Sequence, residues 1–155
     1  MKTIILYATK YGAAAEIAKR IATQINGAVM HDLKQSNIPD ITGFDCVIIG
    51  SSVYAGMFRK EAKIFLSQNA EILRQKKFGL FVSGISPDEG KKAFADNVPN
   101  DVLQSAKSAV FLGGIFDPKK AGFMERLIMK VVAKQSVYTD TIDNEKIKKF
   151  AEAMK

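Results

Sequence analysis

The sequence predicts a three-layer α/β/α domain in which helices cover both faces of a five-stranded parallel sheet. Short apolar runs alternate with segments in which apolar residues recur at the helical period, and the connections between them are short. The run at 44–50 is apolar almost throughout, which is typical of a strand buried on both faces. Five such strands favour the order 2-1-3-4-5, with ligands at the carboxyl ends of strands one and three. The 155 residues are predicted to form one domain, 1–155.

The first strand, loop and helix form the most informative stretch. Residues 4–8 are an apolar run, residues 9–12 contain a hydroxyl, a lysine and one glycine, and apolar residues then recur at helical spacing up to residue 25. A loop that leads directly into a helix leaves several backbone N–H groups without partners, and the helix dipole favours negative charge at the same place. We therefore predict that this loop binds a phosphate group.

The remaining elements follow in order along the chain. Four further strands are predicted from apolar runs, at 29–33, 44–50, 78–83 and 108–116. One helix is predicted to begin at about Arg59 and the last one at about Asp143. Between them, a helical region is predicted around residues 93–106, with an interruption at Pro99. The loops after Ala8, Gly50 and Ser83 are expected to meet at one edge of the sheet.

Residues of about 117–140 are predicted to be an insertion before the last helix. Arg126, Lys130 and Lys134 lie at i, i+4 and i+8, and apolar residues fill a broad arc opposite them, which predicts a basic amphipathic helix. Such a helix is too short to span a bilayer, but it suits the membrane interface or contact with a lipophilic substrate. Packing on its own domain or on a second subunit is the alternative.

The chain is basic, with a net charge of +7 and a pI of about 9.5. This charge favours an anionic partner, such as nucleic acid, a membrane surface, or an acidic ligand or protein. Most of the excess lies at 59–77 and 118–134. Solvated helix faces would explain either segment taken alone.

One cysteine and one histidine offer little for catalysis or metal binding. Cys46 lies within an apolar run and is predicted to be a buried structural thiol, because no Cys or His stands near it at metal-ligand spacing. His31 ends a short apolar segment and is expected at the surface or at a strand end. We predict no metal site. The start of the chain shows no signal-peptide pattern, so a cytoplasmic location is expected.

Several kinds of phosphate loop can be distinguished by their residues. A dinucleotide loop needs three spaced glycines, and only Gly12 is present; the Gly-Lys-Ser/Thr of a Walker loop is missing. A phosphoacceptor site needs carboxylates at the strand ends, but strand one ends in Tyr7-Ala8 and strand three in Gly50-Ser51. A cysteine phosphatase needs its nucleophile in the first loop, whereas Cys46 lies in a predicted strand. A mononucleotide loop for a single phosphate remains, with an ordinary turn that binds nothing as the alternative.

The first loop resembles the phosphate loop of the flavodoxin family, which reads roughly Ser/Thr-x-Thr-Gly-x-Thr and binds FMN. Thr9 and Gly12 match the first hydroxyl and the glycine of that pattern, whereas Tyr11 and Ala14 replace two hydroxyls. The loss of two donors is expected to weaken FMN binding, although backbone amides of residues 10–14 and the charge of Lys10 would compensate. The resemblance implies these ligand-binding residues: Thr9, Lys10, Tyr11, Gly12, Ala13 and Ala14.

Two more loops complete the site that this resemblance implies. In flavodoxins the loop after the third strand lies along the flavin ring, and here it offers an aromatic residue, Tyr54, and a permissive backbone at Gly56. The loop after the fourth strand would present backbone N–H groups to the ring. The residues implied are Ser52, Val53, Tyr54, Ala55 and Gly56 in the first of these loops and Ser83, Gly84 and Ile85 in the second.

Within this family, the chain is most similar to a short branch that contains quinone-dependent protoporphyrinogen IX dehydrogenases. The similarity lies in the start of the chain, the segment 50–56 and the insertion with the Val137-Tyr138-Thr139-Asp140 that follows it. It implies a flavodoxin-like fold and an FMN oxidoreductase that passes electrons from a hydrophobic donor to a quinone at the inner membrane face. The basic residues that would face an anionic membrane are Lys119, Lys120, Arg126, Lys130 and Lys134.

Two other functions stay open at this point. A soluble FMN electron shuttle would use the basic surface to dock an acidic redox partner, and a non-redox module would bind an anion without flavin. No side chain is a convincing general acid or base, so no catalytic residue is predicted. We expect a quinone or a redox protein as partner, and no nucleic acid.

Overall fold

A computed structural model describes residues 1–120, 122 and 138–155. Within these residues the chain forms the following strands and helices: β1 Thr3–Ala8, α1 Ala13–Gln24, β2 Val29–Asp32, β3 Cys46–Tyr54, β4 Met57–Phe58, α2 Lys60–Gln68, α3 Ala70–Arg74, β5 Lys77–Ser83, α4 Pro87–Asn97, α5 Asn100–Ser105, β6 Ser108–Phe111, β7 Ile115–Phe116, β8 Thr139–Asp140 and α6 Asn144–Met154.

The main sheet has the order β2-β1-β3-β5-β6, and these five strands are parallel. The predicted order 2-1-3-4-5 is therefore confirmed, once the short strand β4, which pairs antiparallel with β3, is set aside. β3 lies at the centre, where Ile49 pairs with Leu6 on one side and with Leu80 on the other. All three side chains are buried, as expected for a strand covered on both faces.

Two hydrophobic cores lie on opposite faces of this sheet, because successive strand residues point to opposite sides. Leu6, Ile49 and Leu80 pack with helices α2 to α5, whereas Ile5 and Ile48 pack with α1 and α6. The helices thus form one layer on each side of the sheet. The three-layer α/β/α architecture predicted from the sequence is confirmed.

Three elements differ from the prediction, each for a physical reason. β3 continues to Tyr54 instead of ending at residue 50, because β4 pairs with its last residues. The predicted strand 108–116 divides into β6 and β7, because Gly113 turns the chain with a φ of 84°. The helix expected from Arg59 divides into α2 and α3 at Asn69, whose side chain donates to the Phe65 carbonyl at 2.9 Å.

The ribbon of β7 and β8 closes the predicted insertion at its base. Ile115 pairs with Asp140, and Phe116 pairs with Thr139. Lys119 and Lys120 follow in an exposed turn. The predicted amphipathic helix, with Arg126, Lys130 and Lys134, falls on residues 121 and 123–137 and lies outside the described residues. Among the helices that the structure describes, none is long and apolar enough to cross a membrane.

Cys46 is fully buried, as predicted for a structural thiol. Its Sγ lies 3.6 Å from the Met154 carbonyl, and burial raises the pKa of the thiol. His31, which was expected at the surface or at a strand end, is half-buried in the edge strand β2, one residue before that strand ends.

Candidate functional site

A cleft opens at the carboxyl ends of β1, β3 and β5. The cleft is lined by residues of four loops: Lys10, Tyr11 and Ala13; Ser52, Val53 and Tyr54; Ser83, Gly84 and Ile85; and Gly114, Ile115 and Phe116. The three loops singled out from the sequence therefore meet at one place.

The loop between β1 and α1 places the amino end of a twelve-residue helix at this cleft. Gly12 precedes the helix with a φ of 100°, which a glycine adopts without strain. Its N–H donates to Thr9 Oγ1 at 2.9 Å, and its carbonyl accepts the first helical hydrogen bond from the Glu16 N–H at 3.0 Å. No side chain in the described part of the chain caps α1. The first amides of the helix, at Ala13 and Ala14, are therefore without a side-chain partner there, and Ala13 lines the cleft.

Two hydroxyl groups stand beside these amides. Thr9 Oγ1 accepts from the Gly12 N–H, and Ser52 Oγ accepts from the Lys10 N–H at 3.2 Å. Each hydroxyl still carries a proton that it can donate. The amides of Lys10 and Gly12 are thus used inside the loop, and the two hydroxyl protons and the amides of α1 remain for a ligand. The side chain of Ala14 is itself buried in the core.

Lys10 joins the first loop to the second. Its Nζ lies 4.0 Å from the ring centre of Tyr54 and 5.3 Å from that of Tyr11, which are cation–π distances. Both rings are partly exposed at the rim. The positive charge is held near the amino end of α1, so both features favour a negatively charged group in this part of the cleft.

The second loop is a tight turn between β3 and β4. Tyr54 pairs with Met57, which leaves Ala55 and Gly56 as the two turn residues, with φ values of 50° and 75°. Two positive φ values characterise the type I′ turn of β-hairpins, in which an alanine is strained. Ala55 and Gly56 lie beyond the lining of the cleft, against a separate hollow beside α4. Their neighbours Val53 and Tyr54 face the cleft itself.

Helix α4 holds this turn through two side chains that the sequence analysis missed. The Gly56 N–H donates to the carboxylate of Glu89. Asn97 donates to the carbonyls of Gly56 and Ala93, both at 2.8 Å, and accepts from the Phe58 N–H at 3.1 Å. Asn97 is buried, so these bonds satisfy its amide inside the protein. The sequence contains one signal for Asn97: it is a polar residue four positions after the apolar Ala93, on the same face of the helix.

The loops after β5 and β6 pack backbone against backbone. The Gly84 N–H donates to the Gly113 carbonyl at 3.0 Å, and a Cβ at Gly114 would lie 2.6 Å from the Gly84 carbonyl oxygen. This close approach requires glycine, and it brings Ile115 and Phe116 to the cleft. Both residues were predicted to belong to a single strand at 108–116, whereas they form the separate short strand β7. The Gly113-Gly114 pair inside the apolar run was the signal for a break.

Arg20 ties α1 to β8, the strand beside this wall. Its guanidinium lies 2.9 Å from Glu16 Oε1, 3.1 Å from Asn144 Oδ1 and 3.5 Å from Asp140 Oδ2. The hydrogen bond to Glu16 is the main cause that raises the pKa of Arg20. Because Asp140 pairs with Ile115, this contact fixes the apolar wall relative to α1.

The cleft therefore combines an anion-binding end with an apolar wall. The start of α1 at Ala13, the Ser52 hydroxyl and Lys10 form the anion-binding end, and the apolar wall includes Val53, Tyr54, Ile115 and Phe116. Thr9, Gly12 and Ala14 are not among the residues that line the cleft. This set suits a ligand with one anionic group and a flat, apolar body. Within the described residues, no three His, Cys, Asp or Glu side chains gather as a metal ion requires.

Comparison with known proteins agrees with this architecture. A family model described as a flavodoxin domain matches residues 4–143. Protoporphyrinogen IX dehydrogenase [quinone] of Escherichia coli K12 is 26% identical to this chain, over 90% of the chain and 88% of the relative.

Solved structures show the same fold at lower identity. A short-chain flavodoxin associated with a PDU bacterial microcompartment has a TM-score of 0.63 at 18% identity, covering 99% of this chain and 96% of its own. Oxidised Flavodoxin 1 of Bacillus cereus has a TM-score of 0.61 at 15% identity, covering 99% and 97%. The rubredoxin oxygen:oxidoreductase of Desulfovibrio gigas has a TM-score of 0.66 at 16% identity; the alignment covers 99% of this chain but only 35% of that longer one.

Proposed function

Since this chain belongs to the flavodoxin domain family, we propose that it binds FMN and acts as an oxidoreductase of the protoporphyrinogen dehydrogenase (quinone) type. The observation that carries the proposal is the cleft, in which an uncapped helix terminus and Lys10 stand beside an apolar wall. The relative of that name, 26% identical over most of both chains, supports the reaction type.

The residues present fit FMN at both ends. The phosphate would be held by the amides of Ala13 and Ala14, the hydroxyl of Thr9 and the charge of Lys10. The ring would lie along Val53 and Tyr54, which gives it an apolar and aromatic surface. When bound, FMN would supply the redox chemistry. The chain itself would orient the flavin and exclude water from one side of it.

The basic surface supports action on an anionic or membrane-bound substrate. Lys119 and Lys120 are exposed in the turn that follows β7, whose residues line the cleft. Cations at the rim would attract carboxylates of a porphyrinogen or the headgroups of an anionic membrane. The quinone would then be reached at the membrane surface.

Titration with FMN tests the first part of the proposal. We expect the purified protein to quench the fluorescence of added FMN and to yield a yellow complex after gel filtration. Binding of FMN would be consistent with both redox functions, the dehydrogenase and the soluble electron carrier. A protein that takes up no FMN would support the non-redox anion-binding module instead.

An electron-transfer assay tests the second part. FMN-loaded protein is mixed with protoporphyrinogen IX and a menaquinone analogue, and we expect the fluorescence of protoporphyrin to rise faster than in a reaction with free FMN. Equal rates in the two reactions would contradict the dehydrogenase assignment.

A soluble electron carrier is the second candidate, and the lining of the cleft favours it. Among the described residues that line the cleft, none is a His, Asp or Glu that would take a proton from a substrate. A carrier needs no such group. Reduction of the loaded protein by a ferredoxin- or pyruvate-linked system, without porphyrinogen turnover, would identify this function.

A further inference from the structure

A groove runs along the edge of the main sheet, away from the cleft. Strand β6, Ser108–Phe111, is its floor; the walls come from α4, with Lys91 and Phe94, and from α6, with Lys146, Lys149 and Phe150. Phe94 belongs to the core on one face of the sheet and Phe150 to the core on the other. The two helices therefore flank the edge strand from opposite sides.

The floor of this groove is an open strand edge. β6 pairs with β5 on one side, and no strand in the described part of the chain pairs with it on the other. Ala109 is exposed, and Ser108 and Val110 are half-buried. An edge strand presents backbone N–H and C=O groups that a further extended segment can bond. The apolar surface beside β6 would receive the side chains of that segment.

The charge around the groove is positive. Lysines stand on both walls, and no carboxylate is among the described residues that line it. Lys91 and Lys149 make no ion pair within the described residues, and Lys146 lies 3.8 Å from Asp143. Lysines at a sheet edge oppose pairing with a second copy of the same chain, because the two sets of lysines would come together. The same charges attract an acidic strand.

We propose that the β6 groove binds an acidic, extended segment of a partner protein by strand addition. Backbone bonds to β6 would give affinity, and carboxylates on both faces of the segment would reach Lys91 on one wall and Lys146 and Lys149 on the other. The alternation of side chains in a strand places successive residues toward α4 and toward α6 in turn. The surface is separate from the cleft and does not depend on flavin.

A defined peptide tests the proposal on the full-length protein. The probe is a short fluorescein-labelled peptide in which pairs of glutamates alternate with pairs of valines, so that both faces of the extended peptide carry carboxylates. Binding is measured by fluorescence anisotropy with and without FMN. An analogue in which prolines replace alternate valines keeps the charge but cannot form the strand ladder. We expect the analogue to bind about tenfold more weakly.

Charge reversal locates the binding site. The double substitution Lys91→Glu and Lys149→Glu is expected to weaken peptide binding by about tenfold or more. The control, Lys19→Glu with Lys60→Glu, makes the same change in net charge at exposed helix positions outside the groove and is expected to have a much smaller effect. Circular dichroism and thermal unfolding show that both variants fold.

Any of the following results would overturn the proposal. Equal binding of the proline analogue, or equal loss in the control variant, would mean attraction by net charge alone. No peptide binding, with lysine-dependent binding to phosphatidylglycerol vesicles, would assign the groove to a membrane. Sedimentation that shows a dimer broken by the groove substitutions would assign the groove to a second copy of this chain.

The peptide assay also separates this inference from the proposed function. Peptide binding by protein that takes up no FMN would support this inference and contradict the proposed function.

Discussion

The loop before α1 lines the cleft, and the turn between β3 and β4 lies just beyond it; the two segments use their backbone groups in opposite ways. In the turn, side chains of α4 bond both backbone groups of Gly56 and the N–H of Phe58. In the loop, no side chain of the described residues caps α1, so its first amides have no side-chain partner there. The turn is therefore a fixed support, whereas the loop keeps hydrogen-bonding capacity for a ligand. Changes in the turn should alter stability, and changes in the loop should alter binding.

The largest effect is expected from Asn97→Ala. The substitution leaves the buried Phe58 N–H and the part-buried Gly56 carbonyl without partners, which should cost about 3 kcal/mol of unfolding free energy. Urea unfolding measures the loss. Asn26→Ala, at an exposed turn, is the control and should change stability by less than about 0.5 kcal/mol. Similar stabilities for the two variants would contradict the role of Asn97 as a support.

Glu89→Ala should have a smaller effect on the same turn. It removes the acceptor for the Gly56 N–H, at an expected cost of about 1.5 kcal/mol in urea unfolding. Glu89→Gln keeps an acceptor oxygen and should recover more than half of that loss. If the glutamine variant were no better than the alanine variant, the hydrogen bond would not be the reason for the effect.

Lys10→Gln should affect binding more than stability. The change removes the positive charge beside the amino end of α1, and FMN is expected to bind about tenfold more weakly, a loss of about 1.4 kcal/mol. Fluorescence titration with FMN measures the dissociation constant. Lys19→Gln, on the exposed face of α1, removes the same charge elsewhere and should leave the affinity within about twofold. Equal losses in both variants would indicate that only the net charge matters.

The smallest effect, and one of opposite sign, is expected from Ala55→Asn. Asparagine tolerates a positive φ better than alanine, so the turn should gain about 0.5–1 kcal/mol of stability. Ala55→Val should lose stability, because a branched side chain suits this conformation least. The midpoint of urea unfolding distinguishes the three proteins. An asparagine variant less stable than the parent would show that Ala55 is not strained.

Local patterns were enough to predict the main sheet and the first loop. The strand, loop and helix of residues 4–25 follow one another directly. The apolar run of the strand and the helical spacing of apolar residues after it are therefore visible in the sequence itself. The β3–β4 turn was not predicted, because its support comes from Asn97, 41 residues after Gly56. The split between β6 and β7 likewise depends on a distant contact, since a Cβ at Gly113 would lie 2.0 Å from the Thr141 carbonyl oxygen. Such contacts leave only weak signals in a single sequence.

The pairing of β7 with β8 has a consequence for protein engineering. Phe116 stands opposite Thr139, so the chain leaves and re-enters the domain at adjacent points. A stretch whose two ends are already fixed side by side can be shortened, exchanged or replaced by another sequence at little entropic cost to the rest of the domain. We therefore expect that the sequence between the two strands of the ribbon can be exchanged while the sheet is kept.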